Sequence, residues 1–250
     1  MKTTGNTVFI TGGGSGIGRA LAEAFHKAGN QVIISGRRKH ALEETTGANP
    51  GMKSVVLDIE DPASIAAVAK KLVAENPSLN VLINNAGIMK PDDVSGELDE
   101  AVLTSTIQTN VYGPMRMTSA LIGHLKAQPA ATVINVSSGL AFIPLAFTAV
   151  YSTTKAAMHS YSESLRFQLR GTSVKVLELA PPYVQTELMG PGMKVDPRAM
   201  PLEDFIAETM TLLAGDTDEI LVERVKMLRN AVGPNEGEFV TKFNEMMTAH

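Results

Sequence analysis

The chain of 250 residues contains no cysteine and no tryptophan, and only 5% of its residues are aromatic. The absence of cysteine excludes disulfides, thiol nucleophiles and thiolate metal ligands, and it is compatible with a reducing compartment. No apolar run approaches the roughly 20 residues that cross a bilayer, and the opening MKTTGNT lacks the apolar segment of a signal peptide. We therefore expect a soluble, cytoplasmic protein without a membrane partner.

The chain also lacks an excess of positive charge, because 22 Lys and Arg residues face 26 Asp and Glu residues for a formal net charge of -4. The longest basic cluster, RRKH at residues 37–40, is short, so no nucleic-acid partner is expected. The five histidines show no spacing typical of metal ligands, and no metal is predicted. The hydrophobic content of 44% is enough to bury a sizeable core.

Short apolar runs alternate with segments of helical period along most of the chain. Runs that are apolar on both faces predict strands of a parallel sheet covered by helices. The first helix is expected to end at Gly29, and Asp61 followed by Pro62 is typical of an N-cap and first turn. The predicted strands are TVFIT (7–11), QVIIS (31–35), SVVL (54–57), VLIN (81–84), TVINV (132–136) and VKVLEL (174–179).

No linker or repeat interrupts this alternation, so we predict one doubly wound α/β domain, a Rossmann fold, over residues 1–250. The last ~70 residues differ, because prolines, glycines and methionines precede further helical segments. We expect a substrate lid at about residues 182–215. The apolar stripe inside it is expected to be packing, with Leu202, Phe205, Ile206, Met210 and Leu213 at helical spacing.

A glycine-rich segment lies between the first predicted strand and the first predicted helix. Glycines there let the backbone turn sharply and approach a ligand, and the N-terminus of the helix favours a pyrophosphate. The spacing, Gly12-x-x-x-Gly16-x-Gly18, differs from the common G-x-G-x-x-G. A dinucleotide site is predicted, with contacts from Gly12, Gly14, Ser15, Gly16, Ile17 and Gly18.

The end of the second strand bears on the choice of cofactor, because an acidic residue there would bind the ribose 2'-hydroxyl of NAD. Gly36 stands at that position, and Arg37 and Arg38 follow, able to pair with a 2'-phosphate. NADP(H) is therefore favoured and NAD(H) is the alternative. The arginines could instead form a solvated turn, since the glycine-rich segment carries Ser15 rather than a further cation.

The ends of the third and fourth strands supply the remaining predicted contacts. Asp58 could bind the adenine amino group, although a role as a loop cap is equally compatible with this fragment. The asparagines of LINNAG could satisfy backbone groups, and a glycine there would let the nucleotide approach. The predicted contacts at these two ends are Asp58, Ile59, Asn85, Ala86 and Gly87.

A possible proton donor follows the fifth strand. Ser138 falls at the carboxyl end of the sheet, where ligands of α/β proteins bind. Tyr151 and Lys155 are spaced i, i+4, so they share one face of a helix. We expect the ammonium to lower the tyrosine pKa toward the working pH, as proton transfer requires. A single Y-x-x-x-K pattern would nevertheless occur often by chance.

The glycine-rich segment, NNAG, NVSSG and YSTTK, in this order and spacing, resemble the short-chain dehydrogenase/reductase family over roughly the first 190 residues. The resemblance implies that Ser138 orients the substrate oxygen and Tyr151 acts as general acid or base. It implies that Lys155 binds the nicotinamide ribose and tunes the tyrosine, and that Asn110 of TNVYG holds a water of the proton relay. Family members also contact the cofactor after the sixth strand, which here corresponds to Val184 and Thr186.

The sequence departs from the family at two places. Pro181-Pro182 replaces the usual Pro-Gly after the sixth strand, which leaves the local backbone path open. DEILVERVKMLRNAVG replaces a glycine-rich closing strand, which leaves a seventh strand and an interface of four subunits open. A homodimer or homotetramer is expected.

Apolar side chains surround the predicted reactive residues, both in GLAFIPLAFTAVY and in the lid, where they are Tyr183, Leu188, Met189, Met193 and Met200. Methionines at a cleft favour apolar ligands of variable shape, although any one of them could be ordinary packing. We predict an NADP-preferring carbonyl reductase, also able to act as an alcohol dehydrogenase, for an apolar ketone, aldehyde or secondary alcohol. The alternatives are an epimerase or dehydratase of related fold and a regulatory or scaffold protein that binds the dinucleotide.

Overall fold

The computed structural model describes residues 1–248 and shows one parallel sheet of seven strands with helices on both faces, in the order β3-β2-β1-β4-β5-β6-β7. The strands are β1 (Thr7–Thr11), β2 (Gln31–Gly36), β3 (Lys53–Val56), β4 (Leu79–Asn84), β5 (Ala131–Val136), β6 (Val174–Leu179) and β7 (Glu219–Ile220). All six predicted runs form strands, and the doubly wound α/β fold is confirmed.

The helices connect successive strands and then cover the carboxyl-terminal part. They are α1 (Gly16–Lys27), α2 (Lys39–Ala48), α3 (Pro62–Glu75), α4 (Glu100–Ile107), α5 (Gly113–Lys126), α6 (Ala149–Gln168), α7 (Leu202–Leu213), α8 (Glu223–Asn230) and α9 (Glu236–Thr248). Among residues 1–248, no helix has both the length and the apolar composition to cross a membrane.

The strands are apolar on both faces because each face packs against a different layer of helices. In β1, Val8 and Ile10 join the cluster that contains Phe25 of α1, whereas Phe9 joins the cluster that contains Leu121 of α5. Successive strand residues point to opposite faces, so alternate residues enter the two cores. This packing fixes the sheet between two helical layers.

Two predicted helix boundaries are confirmed by the backbone. Helix α1 ends at Lys27, and Gly29 follows with a φ of 84°, a conformation that favours glycine. At the start of α3, the Asp61 side chain accepts a hydrogen bond from the Ala63 amide, and Pro62 is the first helical residue.

The carboxyl-terminal part completes the sheet and covers one side of it. The seventh strand that the sequence left open is present as two residues, with Glu219 and Ile220 paired in parallel to β6. Phe205 and Leu213 of α7 are buried in the core cluster that contains residues of α1, and Leu202, Ile206 and Met210 pack against it. The prediction that this apolar stripe serves packing is confirmed. Phe243 of α9 packs in a third cluster that covers the segment after β5.

Candidate active site

The site lies at the carboxyl edge of the sheet, where the strand order reverses between β1 and β4, the place where α/β folds bind ligands. The glycine-rich turn after β1 lies against the end of β4. Gly12 has a φ of 70°, and a Cβ built on it would lie 2.9 Å from Ala86 Cα. A Cβ built on Gly18 would lie 2.3 Å from Asn85 Nδ2. The turn therefore presents bare backbone at the start of α1, as a dinucleotide pyrophosphate requires.

The asparagines after β4 hold this turn in place. Asn85 Nδ2 donates to the carbonyl oxygens of Thr11 at 3.0 Å and Gly12 at 3.3 Å. Thr11 Oγ1 accepts from the amides of both Asn85 and Ala86. Buried Asn84 donates to Thr118 and to Asn135. The structural role considered for the asparagines is thus present, and a cofactor contact of residues 85–87 stays a prediction.

The two arginines after β2 are exposed and have different partners. Arg37 Nη1 pairs with Glu60 Oε1 at 3.1 Å, in the loop between β3 and α3. Arg38 Nη2 donates to Ser15 Oγ at 3.0 Å, on that turn. Ser15 precedes α1, and its side chain makes no capping hydrogen bond. The structure therefore brings Arg38, rather than Arg37, onto the predicted pyrophosphate turn.

The end of β3 shows a local role for Asp58. Its Oδ1 accepts the Glu60 amide at 3.0 Å, as in a loop cap, while the residue stays partly exposed. Ile59 is buried in the cluster that includes α3, and a Cβ built on Gly113 would lie 2.6 Å from Ile59 Cγ1. The adenine contact predicted for Asp58 and the cofactor contact predicted for Ile59 stay predictions.

The loop after β6 returns over the glycine-rich turn. A Cβ built on Gly16 would lie 3.7 Å from the Thr186 side chain. Val184 is buried and pairs with Met200 in a parallel bridge. The carbonyl of Pro181 accepts the Gly139 amide at 2.8 Å, so the loops after β5 and β6 are joined. Thr186 of the predicted lid thus approaches the pyrophosphate turn, and Pro181, just before the lid, contacts the segment that follows Ser138.

Three of the predicted reactive residues meet at the end of β5. Ser138, Tyr151 and Lys155 are all buried, and the Ser138 side chain lies near enough to the Tyr151 phenol to act on its pKa. Lys155 Nζ donates to the carbonyl of Val136 at 2.9 Å and lies 5.4 Å from the centroid of the Tyr151 ring. A Cβ built on Gly87 would lie 3.3 Å from Asn110 Oδ1 and 3.7 Å from Lys155 Nζ, so this glycine borders both side chains.

Asn110 lies in a π-helical turn, Gln108–Tyr112, which joins α4 to α5. Its Nδ2 donates to the Ile88 carbonyl at 2.9 Å and to Thr154 Oγ1 at 3.1 Å, and its Oδ1 accepts the Ile88 amide at 2.9 Å. Single π-helical turns of this kind are frequent at functional sites. The amide is therefore fixed between the loop after β4 and α6, while its role in a water relay stays a prediction.

Burial governs the charges of the reactive pair. It raises the pKa of Tyr151 to about 12, and the neighbouring Ser138 side chain opposes this rise only in part. Burial also lowers the pKa of Lys155 to about 8, against the attraction of the Glu178 carboxylate. The predicted lowering of the tyrosine pKa by the lysine is therefore wrong. The physical reason is that desolvation of the phenolate outweighs an ammonium that donates to a backbone carbonyl instead of the phenol.

Sequence reasoning missed a buried cluster beside these residues. Glu178 in β6 is fully buried and accepts from Ser137 Oγ and from a ring nitrogen of His159. The signal in the sequence was a single carboxylate inside the apolar run VKVLEL. His159, Glu178 and Glu219 place possible metal-ligand atoms within 4.8 Å of one another, although Arg229 occupies both oxygens of Glu219. Of the five histidines, His250 lies outside the described residues.

The fold and the glycine-rich turn define the class of α/β dinucleotide-binding proteins. Within this class, the family model for the short chain dehydrogenases matches residues 6–194. The chain therefore belongs to the short-chain dehydrogenase/reductase family, whose members are NAD(P)-dependent oxidoreductases.

Known proteins resemble the chain over nearly its whole length. An uncharacterized oxidoreductase, DltE of Bacillus subtilis, is 39% identical over 252 aligned residues, which cover 99% of each chain. A short chain dehydrogenase from Burkholderia cenocepacia in complex with NADP has a TM-score of 0.84 at 24% identity, covering 97% of this chain and 98% of its own. A short chain dehydrogenase/reductase from Burkholderia phymatum in complex with NAD has a TM-score of 0.83 at 21% identity, covering 92% and 93%. At these identities the two structures support the fold alone.

Proposed function

We propose that the protein is a carbonyl reductase that uses NADP(H) and can also oxidise the corresponding alcohols. The observation that carries the proposal is the buried Tyr151 phenol, which lies beside Ser138, with the Lys155 ammonium one helical turn further along α6. Because burial raises the pKa of Tyr151 to about 12, the phenol is protonated at neutral pH. A protonated phenol can donate to a carbonyl oxygen, which favours the direction of reduction.

In the proposed mechanism, Ser138 donates a hydrogen bond to the substrate oxygen and holds the developing alkoxide. The nicotinamide, when bound, supplies the hydride in reduction and accepts it in oxidation. Tyr151 gives its phenolic proton to the same oxygen. The nearby ammonium of Lys155 stabilises the phenolate that remains, and the fixed amide of Asn110 keeps the adjoining turn of α6 in place through Thr154.

The preference for NADP(H) is supported by Arg38 and Ser15. Their 3.0 Å hydrogen bond places an exposed guanidinium beside the glycine-rich turn, where it can pair with a 2'-phosphate. The carboxylate that would bind the ribose hydroxyls of NAD at the end of β2 is absent, and Gly36 stands at that position. NAD(H) is the second candidate cofactor.

The proposed substrate is an apolar ketone, aldehyde or secondary alcohol. The segment after Ser138 buries Phe142 and Ile143, and Leu188 and Met189 of the predicted lid are exposed. Met200, in contrast, is part of the core, which narrows the set of lid methionines that could touch a substrate. Adaptable apolar side chains at the mouth of a site favour apolar ligands of variable shape.

The test is an initial-rate assay in which oxidation of NADPH or NADH is followed by absorbance with aryl ketones, aldehydes and small sugars. Turnover of NADPH with the apolar carbonyls, and not with the sugars, is the expected result. NADPH binding in a fluorescence titration without turnover of any carbonyl would instead support the regulatory or scaffold alternative. Light scattering in the same buffer checks the homodimer or homotetramer that remains a prediction.

A further inference from the structure

A buried carboxylate lies behind the reactive residues and takes no part in the mechanism above. Glu178 is fully buried in β6 between Leu177 and Leu179. One of its oxygens accepts from Ser137 Oγ at 2.5 Å, and the other lies 2.7 Å from His159 Nδ1. A buried carboxylate in an apolar strand is costly to desolvate, so its two partners are essential to its presence there.

The partners of Glu178 connect it to both sides of the reactive site. Ser137 immediately precedes Ser138 at the end of β5. The residue before it, Val136, accepts a hydrogen bond from Lys155 at 2.9 Å. This strand end is therefore held by Lys155 at one residue and by Glu178 at the next.

Helix α6 also links Glu178 to the reactive residues. Tyr151, Lys155 and His159 are spaced i, i+4, i+8 and share one face of the helix. His159 binds Glu178, whereas Lys155 is within range of the electrostatic attraction of Glu178. The face of α6 that carries Tyr151, Lys155 and His159 therefore lies close to the Glu178 carboxylate at the end of β5.

The other charges around Glu178 are largely paired among themselves. Arg229 of α8 donates to both oxygens of Glu219 in β7, at 2.9 and 3.2 Å. Glu163 lies beyond His159 on α6, 3.9 Å from the other ring nitrogen, and is largely exposed. His159 is therefore in direct contact with the Glu178 carboxylate, whereas Lys155 and Arg229 interact with it electrostatically over a longer distance.

We propose that Glu178 is a positioning residue for the reaction: through Ser137 it fixes the strand end that carries Ser138, and its negative charge stabilises the ammonium of buried Lys155. The proposal rests on the proposed function for the roles of Ser138 and Lys155. It is supported by the pKa of Lys155, which burial lowers to about 8 and which the Glu178 carboxylate raises. Without that carboxylate, the lysine loses its proton at a lower pH.

The first test compares the pH dependence of kcat/KM for Glu178→Gln with that of the unmodified protein. Glutamine keeps the size and an acceptor oxygen for Ser137 but removes the charge. We expect the alkaline limb, where Lys155 deprotonates, to move to lower pH by about one unit. Glu163→Gln is the matched control, because it removes an equal charge from α6 that contacts His159 and not Glu178. The alkaline limb of its pH profile should not move. A loss of kcat/KM that is equal at every pH would overturn the proposal in favour of a merely structural role.

A second readout does not depend on turnover. In protein carrying lysine labelled with ¹³C at Cε, the Lys155 resonance, assigned with Lys155→Arg, reports the deprotonation midpoint directly. The midpoint should fall in Glu178→Gln and stay unchanged in Glu163→Gln, and equal midpoints in all three proteins would overturn the proposal. If Glu178→Gln does not fold, Glu178→Leu matches the apolar neighbours in β6 and serves the same comparison. A shifted midpoint in a protein that reduces no carbonyl would contradict the proposed function and leave the link between Glu178 and Lys155 in place.

Discussion

The two ends of the proposed cofactor cleft differ in their access to water. At the reactive end, Ser138, Tyr151 and Lys155 are 8%, 6% and 5% exposed. At the adenosine end, Arg37 and Arg38 are exposed on the turn after β2. Charges interact strongly where water is excluded, whereas exposed pairs are screened and contribute little. The comparison teaches that reactivity and cofactor choice are set in different solvent environments, so they should be separable by mutation.

The largest effect is expected at the buried end, from Tyr151→Phe. Phenylalanine preserves the packing of the ring and removes the phenolic proton donor beside Ser138. We expect kcat to fall by about 10³-fold, within the usual range for loss of a general acid. The dissociation constant of NADPH, measured by fluorescence titration, should change by less than about twofold, because binding is governed elsewhere in the cleft.

Tyr161→Phe is the matched control, since this tyrosine also lies on α6 and burial also raises the pKa of its phenol, while the side chain beside it is Thr118 instead of Ser138. Its kcat should stay close to that of the unmodified protein. If both variants lose activity equally, the loss comes from a general disturbance of α6. That result would contradict the claim that the buried end of the cleft sets reactivity through Tyr151.

Much of this comparison could be predicted from the sequence. The strands followed from apolar runs, and their carboxyl ends brought Ser138 and the turn after β1 to one edge because parallel strands must end together. The sign of the Tyr151 pKa shift could not be predicted, because it depends on how deeply α6 buries the phenol. The cluster of Ser137, His159 and Glu178 joins three separate elements, so no local pattern reveals it. Likewise, the different partners of the adjacent arginines depend on tertiary contacts.

A smaller effect is expected between the two ends, from Gly18→Ala. The added Cβ would lie 2.3 Å from both Asn85 Nδ2 and the Gly12 carbonyl, so the turn that is to hold the pyrophosphate must shift. Overpacking of this kind costs about 2 kcal/mol, which corresponds to about thirtyfold in affinity. NADPH and NADH should be weakened equally in fluorescence titrations, because both carry the pyrophosphate.

The control for Gly18→Ala is Gly123→Ala, in α5, where an added Cβ would meet nothing within 4 Å. Alanine should leave cofactor affinity unchanged there and raise the melting temperature slightly, because it favours the helix. Unequal weakening of the two cofactors by Gly18→Ala would show that this turn takes part in the choice between them.

The smallest effect is expected at the exposed end, where the two arginines can be compared with each other. Arg38 donates to Ser15 on the glycine-rich turn, whereas Arg37 pairs with Glu60. Arg38→Ala should therefore raise KM for NADPH by about tenfold and leave KM for NADH unchanged, as expected for loss of one exposed contact to a phosphate.

Arg37→Ala is the sharper half of this experiment, because it removes the same charge one residue away. If the position of the arginine relative to the glycine-rich turn determines NADPH binding, Arg37→Ala should raise KM for NADPH by at most about threefold. The reason is that Glu60 already neutralises the Arg37 guanidinium. If the positive charge alone determines NADPH binding, Arg37→Ala and Arg38→Ala should raise KM for NADPH equally. Added salt should then weaken NADPH binding to the same degree in both variants. A larger effect from Arg37 than from Arg38 would mean that cofactor binding breaks the pair with Glu60. Selectivity would then depend on a rearrangement of the exposed turn instead of the contacts present in this structure.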